Sequence, residues 1–281
     1  RVLTENAGDL TQGRIVQAMV GRELETEFSP RSETRPAGKR VLSVEDVSMG
    51  TLVRNTSFSV FAGQVTGLFG LVGSGRTETA KIIAGVFKRD FLRGGAIAYE
   101  GRPVRYATPG PAVADGIVYV TEDRKLEGFF ENMSIAENLY AGLLAAGLNR
   151  FPFVSIAEMK SLAEVWTDKL AIRSIGGEAR VVELSGGNQQ KVVIGKALIQ
   201  KPRLIIFDEP TRGVDVGAVA EIHALIQRLA EEGLAVVVIS SYLPEILALS
   251  DRILVARQGR VVEEFSPTDA SSEDIMYAAV H

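Results

Sequence analysis

The sequence predicts an α/β fold built on a mostly parallel sheet, and three features lead to that prediction. Strand-like and helix-like apolar patterns alternate over residues 41–119 and again from Leu184 onward. The runs LIIF (204–207) and AVVVI (235–239) are apolar throughout, as expected for parallel strands covered on both faces. A glycine-rich segment at 70–77 stands between an apolar run and a helical pattern. We therefore expect helices on both faces of the sheet.

The bulk composition narrows the classes of function. The chain has 281 residues, of which 31 are basic and 35 acidic, and its formal net charge is −4. This balance gives no electrostatic support for a nucleic-acid partner, and we expect none. Cysteine is absent, which excludes disulfides and thiol chemistry. No apolar run reaches the roughly 18 residues that a membrane span needs, so we expect any membrane connection to run through another protein.

The remaining segments have different patterns. Residues 1–23 contain a short helical pattern, and the polar residues 24–40 are typical of a linker. VLSVEDV (41–47) and TSFSVF (56–61) alternate like half-buried strands, so we expect a small antiparallel β layer. Residues 133–170 are largely helical in pattern, which predicts a helical subdomain inserted into the α/β core.

The segment 70–77, GLVGSGRT, has the strand–loop–helix context of a P-loop. Its glycines let backbone N–H groups turn toward a phosphate, and the following helix N-terminus adds a positive dipole end. The Thr77 hydroxyl is a candidate ligand for Mg²⁺. The alternative is a glycine-rich turn that binds nothing. The residues expected to contact the phosphates are Gly70, Gly73, Ser74, Gly75, Arg76, Thr77 and Glu78.

Two adjacent carboxylates, Asp208 and Glu209, follow the apolar run at 203–207. Carboxylates at the end of a buried strand are costly unless they have a role. In a P-loop enzyme the first organises Mg²⁺, and the second orients or deprotonates the attacking water. The alternative is an ordinary turn that ends a strand.

The segment LSGGNQQK (184–191) is similar to the signature sequence of ATP-binding cassette proteins. P-loop, signature and acidic strand occur in the family's order within residues 41–265. The resemblance implies an ATPase with a RecA-like P-loop NTPase core, a small antiparallel β subdomain and an inserted helical subdomain. It also implies ATP and Mg²⁺ as cofactors.

The family resemblance assigns further roles. The signature loop opens a helix whose exposed N–H groups suit a γ-phosphate, and in the family it acts on nucleotide held by the opposite domain of a dimer. Residues 213–215 look like the loop that crosses the dimer interface, and we name them the crossing loop. Glu122 stands where the family usually has a glutamine that touches Mg²⁺. The residues carried over on this basis are Ser185, Gly186, Gly187, Asn188, Asp215 and Glu122.

A narrower resemblance rests on EDRK (122–125), TRGVDVG (211–217) and the pair Ser240-Ser241, which are similar to the second cassette of tandem monosaccharide importers of the ribose, galactose and xylose type. It implies three partners: the first cassette of the same protein, a transmembrane permease and, indirectly, a sugar-binding protein. It also implies a peripheral position on the cytoplasmic face of the bacterial inner membrane.

The same resemblance predicts the domain boundaries. Residues 1–40 are expected to be the tail of the preceding cassette plus a linker. Residues 41–265 are expected to form the nucleotide-binding domain, with its helical subdomain at about 122–184. Residues 266–281 are expected to form a C-terminal helix.

Four departures from the family pattern fall on one site. Arg76 replaces the usual lysine, Ser241 replaces the usual histidine, and Glu122 replaces the usual glutamine. The stretch 48–53 lacks the usual aromatic residue for adenine, where Met49 is a loose substitute. We therefore predict that Glu209 and Ser241 form a poorly hydrolysing site on this chain's own P-loop, while its signature serves the partner cassette's ATP.

Other interpretations remain at this point. The chain could be a nucleotide-dependent dimerisation module with little or no hydrolysis, which Arg76 and Ser241 favour and Glu209 does not. A DNA-repair or chromosome-organising cassette is disfavoured because no sustained heptads separate P-loop and signature. His223 and His281 are expected to be ordinary packing or surface residues.

Overall fold

The computed structural model describes residues 33–148, 154–173 and 176–281, and these form two sheets with helices around them. The helical pattern predicted within residues 1–23 lies outside the described residues. In the described part of the chain, no helix combines the length and the apolar character that crossing a bilayer requires.

The smaller sheet has four strands in the order β2-β1-β4-β5, and all of its pairings are antiparallel. Val44 of the central strand pairs with Phe58 on one side and Ile97 on the other. This sheet confirms the predicted antiparallel β layer. Its strands are β1 (Arg40–Met49), β2 (Val53–Phe61), β4 (Ala96–Tyr99) and β5 (Arg102–Pro103).

The larger sheet has six strands in the order β10-β9-β3-β8-β7-β6. The five strands from β9 to β6 pair in parallel, and only β10 is antiparallel to its neighbour. The predicted mostly parallel sheet is therefore confirmed. Its strands are β3 (Val65–Gly70), β6 (Ile117–Val120), β7 (Leu204–Asp208), β8 (Ala235–Ser240), β9 (Arg252–Arg257) and β10 (Arg260–Phe265).

Eight α-helices are formed by the described residues, together with a short π-helical turn (Arg124–Gly128) and a 3₁₀ turn (Val181–Glu183). The largely helical pattern predicted for 133–170 corresponds to α3 and α4. The helices are α1 (Arg76–Ile83), α2 (Pro109–Asp115), α3 (Ile135–Ala145), α4 (Ile156–Lys169), α5 (Gly186–Leu198), α6 (Val216–Glu231), α7 (Leu243–Leu249) and α8 (Ser272–Val280).

The larger sheet separates two hydrophobic cores. Along β7, Ile205 and Phe207 face a core shared with the helices, whereas Leu204 and Ile206 face a core shared with the smaller sheet. Because strand side chains alternate between faces, an uninterrupted apolar run is what a strand buried on both sides needs. The α/β fold predicted from the sequence is thereby confirmed.

The parallel register brings three chain segments to one edge of the larger sheet. Phe69 of β3 pairs with Ser240 of β8, and Asp208 of β7 pairs with Ile239 of β8. The loops that follow these strands therefore start side by side at the carboxyl ends, where ligands of open α/β sheets usually bind.

Candidate functional site

A cavity of about 570 Å³ lies at the carboxyl ends of the parallel strands, and we name it the carboxyl-end cavity. Most of the residues predicted for the P-loop site meet there. Gly70 and Asp208 are buried at strand ends beside it. The predicted residues that line it are Gly73, Ser74, Gly75, Arg76, Thr77, Glu78, Glu122, Glu209 and Ser241.

The glycine-rich loop has the backbone that a phosphate-binding loop needs. Gly73 and Gly75 have φ angles of 81° and 89°, which are left-handed values that favour glycine. A Cβ on Gly75 would lie only 2.5 Å from the Leu52 carbonyl oxygen, so the position is also too crowded for a side chain. Gly75 is the N-cap of α1, so the loop leads directly into the positive end of that helix.

The Asp208 carboxylate is fully buried and is held from two sides. Its Oδ1 accepts a hydrogen bond from Thr77 Oγ1 at 3.2 Å, and its Oδ2 accepts one from Tyr119 OH at 2.7 Å. Burial raises the pKa of Asp208, although these two hydrogen bonds oppose the shift. The sequence did not single out Tyr119, because an apolar strand containing one tyrosine has no distinctive pattern.

Thr77 and Asp208 together fit the oxygen ligands that Mg²⁺ prefers. Among the described residues, no group of three or more His, Cys, Asp or Glu side chains is arranged to hold a metal. A site with one threonine and one carboxylate therefore suits an ion whose other ligands are water and phosphate oxygens, which is how Mg²⁺ is usually bound with nucleotides.

Arg76 is buried beside this pair of residues, with 6% of its surface exposed. Its Nη2 lies 3.8 Å from Glu209 Oε1 and 3.5 Å from the Leu71 carbonyl oxygen. Burial lowers the pKa of Arg76, although the charges of Glu209 and Asp208 oppose the shift. Arg76 Nη1 and Ser74 Oγ are buried without a hydrogen-bond partner among the described residues. Buried polar atoms of this kind need an explanation, and an anionic ligand supplies one.

Glu209 and Ser241 meet through the backbone of Ser241. The backbone N–H of Ser241 donates to Glu209 Oε1 at 2.8 Å. Glu209 has a φ of 47°, an uncommon value for a residue with a side chain, and its own N–H donates to the Ile239 carbonyl oxygen at 2.8 Å. The contact of Ser241 with the predicted catalytic carboxylate therefore does not involve its hydroxyl group.

Glu122 lies in the cavity wall and forms an ion pair with Arg212. Glu245, also in the wall, is buried and accepts hydrogen bonds from Thr211 Oγ1 at 2.7 Å and interacts with His223 Nε2 at 3.0 Å. The sequence did not identify Arg212 or Glu245 as part of this site. His281 lies elsewhere, stacked on Tyr277 with 4.5 Å between ring centroids.

A second group of predicted residues, which we name the signature cluster, lies outside the carboxyl-end cavity. It consists of the residues that the resemblance assigns to the signature and the crossing loop, namely Ser185, Gly186, Gly187, Asn188 and Asp215. Ser185 is the N-cap of α5, and its Oγ accepts a hydrogen bond from Asn188 Nδ2 at 3.0 Å. Asp215 is the N-cap of α6, and its Oδ1 accepts the Ala218 N–H at 3.1 Å. The structure places Gly186 against Gly213, so the start of α5 lies on the crossing loop.

The cavity wall has one aromatic residue where the sequence predicted none. Residues 48–53, including Met49, do not line the cavity. Tyr242, with 55% of its surface exposed, does line it. Its position directly after Ser240-Ser241 was the only available signal, and it carried no pattern typical of a nucleotide base site.

A family model described as ABC transporter matches residues 53–212. Two relatives are similar over nearly the whole chain. A Burkholderia cenocepacia protein named as a ribose/galactose/methyl galactoside import ATP-binding protein is 42% identical, over 97% of this chain and 51% of the relative. The ribose import ATP-binding protein RbsA 2 of Rhizobium etli is also 42% identical, over 99% of this chain and 54% of the relative. The chain thus spans about half the length of the curated relatives it matches.

Solved structures share the fold at lower sequence identity. A nucleotide-free ATP-binding cassette from an ABC transporter is 24% identical, with a TM-score of 0.70 over 85% of this chain and 95% of that one. A bacterial ABC transporter cassette solved as a dimer is 21% identical, with a TM-score of 0.68 over 82% of this chain and 100% of that one. The family model covers more than half of this chain, and the chain therefore belongs to the ABC transporter family.

Proposed function

We propose that this chain is an ATP-binding cassette that energises import of a monosaccharide through a membrane permease. The observation that carries the proposal is the 3.2 Å contact between Thr77 of the P-loop and Asp208 of the acidic strand. It joins the two motifs that hold nucleotide and Mg²⁺ in P-loop enzymes. The names of the two 42% identical relatives support a sugar of the ribose or galactose type.

In this proposal the chain's own residues hold Mg²⁺–ATP as follows. The N–H groups of the loop from Gly73 to Thr77 receive the phosphates, and Thr77 and Asp208 hold the metal side. Bound Mg²⁺ supplies charge neutralisation for phosphoryl transfer to water. Glu209 is the residue that orients or deprotonates that water, because it is the carboxylate that lines the cavity next to Asp208.

We further propose that this site is poor at hydrolysis. Arg76 Nη2 lies 3.8 Å from Glu209 Oε1, and the Ser241 N–H occupies the same oxygen at 2.8 Å. The guanidinium that replaces the family's lysine therefore lies beside an oxygen of the proposed base that already accepts a backbone hydrogen bond, and Ser241 has no imidazole to contact a γ-phosphate. A guanidinium is also a larger planar group than the ammonium that the P-loop pattern expects.

The signature loop of this chain has no comparable departure, so it is proposed to serve the ATP held by a partner cassette. Matching about half the length of its relatives supports a second cassette in the same protein as that partner. On this proposal the chain sits at the cytoplasmic face of the membrane, beside permease subunits, and a sugar-binding protein delivers the substrate. The boundaries at 1–40, 41–265 and 266–281 belong to the same proposal.

Turnover by this chain tests the enzyme against a second candidate, a nucleotide-dependent dimerisation module. Slow Mg²⁺-dependent hydrolysis should be measurable at high protein concentration. Glu209→Gln should lower it by about 10²-fold or more, as expected for a group that handles the attacking water. The control is Glu100→Gln, which removes only a surface ion pair with Arg203. If Glu209→Gln leaves turnover unchanged while ATP still promotes association, the module is correct.

Binding of Mg²⁺–ATP is a separate test. No residue of 48–53 lines the cavity, so none of them can stack on the adenine. Arg76 holds the phosphates less closely than a lysine would. Binding of ATP should therefore be weak and should require Mg²⁺. Titration calorimetry with and without Mg²⁺ measures this directly. Nanomolar binding would show that Tyr242 or another wall residue replaces the missing platform.

The import function needs the natural protein with its permease in vesicles. ATP hydrolysis should rise when a pentose or hexose and its binding protein are supplied, and labelled sugar should accumulate inside. If no monosaccharide tested raises the rate of ATP hydrolysis, the proposed substrate class is wrong, but the assignment as an ATP-binding cassette stands.

A further inference from the structure

Arg124 joins three separate segments of the chain. It lies in the π-helical turn that follows β6. Its Nη1 donates to the Arg212 carbonyl oxygen at 2.6 Å, and its Nη2 donates to the Gly213 carbonyl oxygen at 2.8 Å. Its Nε donates to Gln189 Oε1 on α5 at 3.4 Å. One guanidinium therefore contacts the turn after β6, the start of the crossing loop and the signature helix.

The start of α5 approaches the crossing loop too closely for a side chain at Gly186. A Cβ on Gly186 would lie 2.6 Å from the Gly213 carbonyl oxygen and 3.0 Å from Arg124 Nη2. The first turn of α5 therefore rests directly on the crossing loop, with the guanidinium at the edge of the contact. Burial lowers the pKa of Arg124, which agrees with a guanidinium that is partly removed from water.

A second link runs in the opposite direction. The side chain of Arg212 forms an ion pair with Glu122, two residues before Arg124. The segment 122–124 thus gives a carboxylate to Arg212 and donates hydrogen bonds to the backbone of residues 212 and 213. Two arginines therefore reach across the same gap from opposite sides.

We propose that Arg124 is a positioning residue that clamps the crossing loop to the start of the signature helix, so that both are presented to a partner cassette as one rigid surface. The proposal rests on the proposed role of the signature loop. Arg124 does not line the carboxyl-end cavity, so its effect on this chain's own nucleotide site is indirect. A planar fork suits this task because it donates to two carbonyl oxygens in fixed geometry, which a lysine ammonium does not.

Amide hydrogen exchange in the nucleotide-free natural protein tests the clamp. The reporters are the Val214 N–H, bonded to the Thr211 carbonyl at 3.1 Å, and the Gln189 N–H, bonded to the Ser185 carbonyl at 2.9 Å. In Arg124→Gln both N–H groups should exchange about tenfold faster. Local opening of the wild-type protein must break the charged hydrogen bonds of Arg124, and opening of the variant does not. Arg124→Lys should lie between wild type and Gln.

The matched control is Arg105→Gln. Arg105 also donates to two backbone carbonyl oxygens, of Arg89 at 3.3 Å and Asp90 at 3.1 Å, but in a different part of the fold. This variant should leave exchange at Val214 and Gln189 unchanged. Equal exchange in wild type and Arg124→Gln at both reporters would overturn the clamp, as would equal acceleration in the Arg105 control. If Arg124→Gln fails to fold, Arg124→Lys alone decides, since wild-type exchange in that variant also overturns it.

A kinetic measurement tests whether Arg124 affects ATP hydrolysis through the surface that faces the partner cassette. In the natural protein, Arg124→Gln should lower kcat by about tenfold or more with KM for Mg²⁺–ATP unchanged, because it disturbs the partner-facing surface and not nucleotide uptake. A rise in KM with kcat unchanged would place Arg124 in nucleotide binding and overturn the proposal. If the wild-type protein hydrolyses no ATP, the proposed function fails, while the exchange experiment still decides whether the clamp exists.

Discussion

The carboxyl-end cavity and the signature cluster differ in whether their polar side chains have hydrogen-bond partners. In the cavity, Arg76 Nη1 and Ser74 Oγ are buried without a hydrogen-bond partner among the described residues. In the signature cluster, Ser185 and Asp215 cap helices with their side chains, and Asn188 Oδ1 accepts the Arg173 N–H at 2.9 Å. The cavity thus contains buried polar atoms that have no partner in the described part of the chain, whereas the side chains of the signature cluster form hydrogen bonds to nearby backbone groups.

This difference indicates two kinds of binding surface. A cavity with unsatisfied cationic and hydroxyl groups is built for an anion that enters it, because such groups are costly to bury alone. A helix start whose side chains hold the backbone in place offers only N–H groups in fixed positions. Three of the four departures from the family pattern, Arg76, Ser241 and Glu122, line the first region, and none falls in the second, so the two surfaces can be disabled separately.

The largest effect is expected from Gly186→Ala. The new Cβ would meet the Gly213 carbonyl oxygen at 2.6 Å, so the start of α5 and the crossing loop must separate. If fixed backbone donors of α5 serve a partner's ATP, turnover by the natural protein should fall about 10²–10³-fold, the usual cost of misplacing a donor that faces developing charge. Nucleotide binding to this chain's own cavity, measured by calorimetry, should not change.

The matched control is Gly110→Ala, since a Cβ there would meet nothing within 4 Å. It should behave as wild type in both assays. Loss of binding to the cavity in Gly186→Ala would break the comparison, because it would mean that the two regions are one unit.

A gain of function is expected in the cavity. In the two-cassette protein that we propose, with the P-loop of the other cassette disabled, Arg76→Lys restores the compact charge, and Ser241→His restores the family's imidazole. Groups that act as one catalytic unit are strongly non-additive. Turnover of the double variant should therefore exceed the product of the two single gains and reach about 10²-fold over the parent. A double variant no faster than the singles would place the block outside these residues.

Much of the fold followed from local pattern, whereas the contacts within the site did not. The runs LIIF and AVVVI became strands buried on both faces because their composition admits little else. Tyr119–Asp208 and Arg124–Gly213, by contrast, each join residues 89 positions apart. No periodicity reports such pairs, because they depend on which strands become neighbours. The sequence motifs predict where the loops lie, but the order of the strands in the sheet determines which side chains come into contact.

A smaller effect is expected from Tyr119→Phe, which tests one of those unpredicted contacts. The change removes the 2.7 Å hydrogen bond to Asp208 Oδ2 and leaves a buried carboxylate oxygen with one donor fewer. Affinity for Mg²⁺–ATP should fall about fivefold to tenfold, in line with about 1–1.5 kcal/mol for such a bond. Calorimetry at several Mg²⁺ concentrations measures it.

Tyr106→Phe is the control, because Tyr106 OH also donates to a carboxylate, Asp115 Oδ2, at 2.6 Å. It should lower stability slightly and leave Mg²⁺–ATP binding unchanged. If both variants weaken binding equally, the effect comes from stability and Tyr119 has no special role in orienting Asp208.

The smallest expected effect concerns stability and pH. Burial raises the pKa of Asp208 above its ordinary value of 3.8, so the folded state holds this proton more tightly than the unfolded state does. The contribution of Asp208 to stability therefore declines as pH rises through the raised pKa, and above that pKa the ionised carboxylate is a liability. Asp208→Asn keeps partners for Thr77 and Tyr119 and removes the charge. Without nucleotide its Tm should rise by about 2–4 °C at pH 7, as expected for about 1 kcal/mol.

The advantage of Asp208→Asn should shrink as pH falls through the raised pKa of Asp208, because wild-type Asp208 then binds its proton and resembles the amide. Asp251→Asn is the control of opposite sign. Asp251 is equally buried, but its carboxylate accepts Arg35 Nη1 at 2.8 Å and the Val65 N–H at 2.8 Å. Neutralising it removes an ion pair, so Tm should fall. A fall in Tm for both variants at pH 7 would contradict this prediction. It would show that neighbouring groups stabilise the ionised Asp208 even in the absence of Mg²⁺.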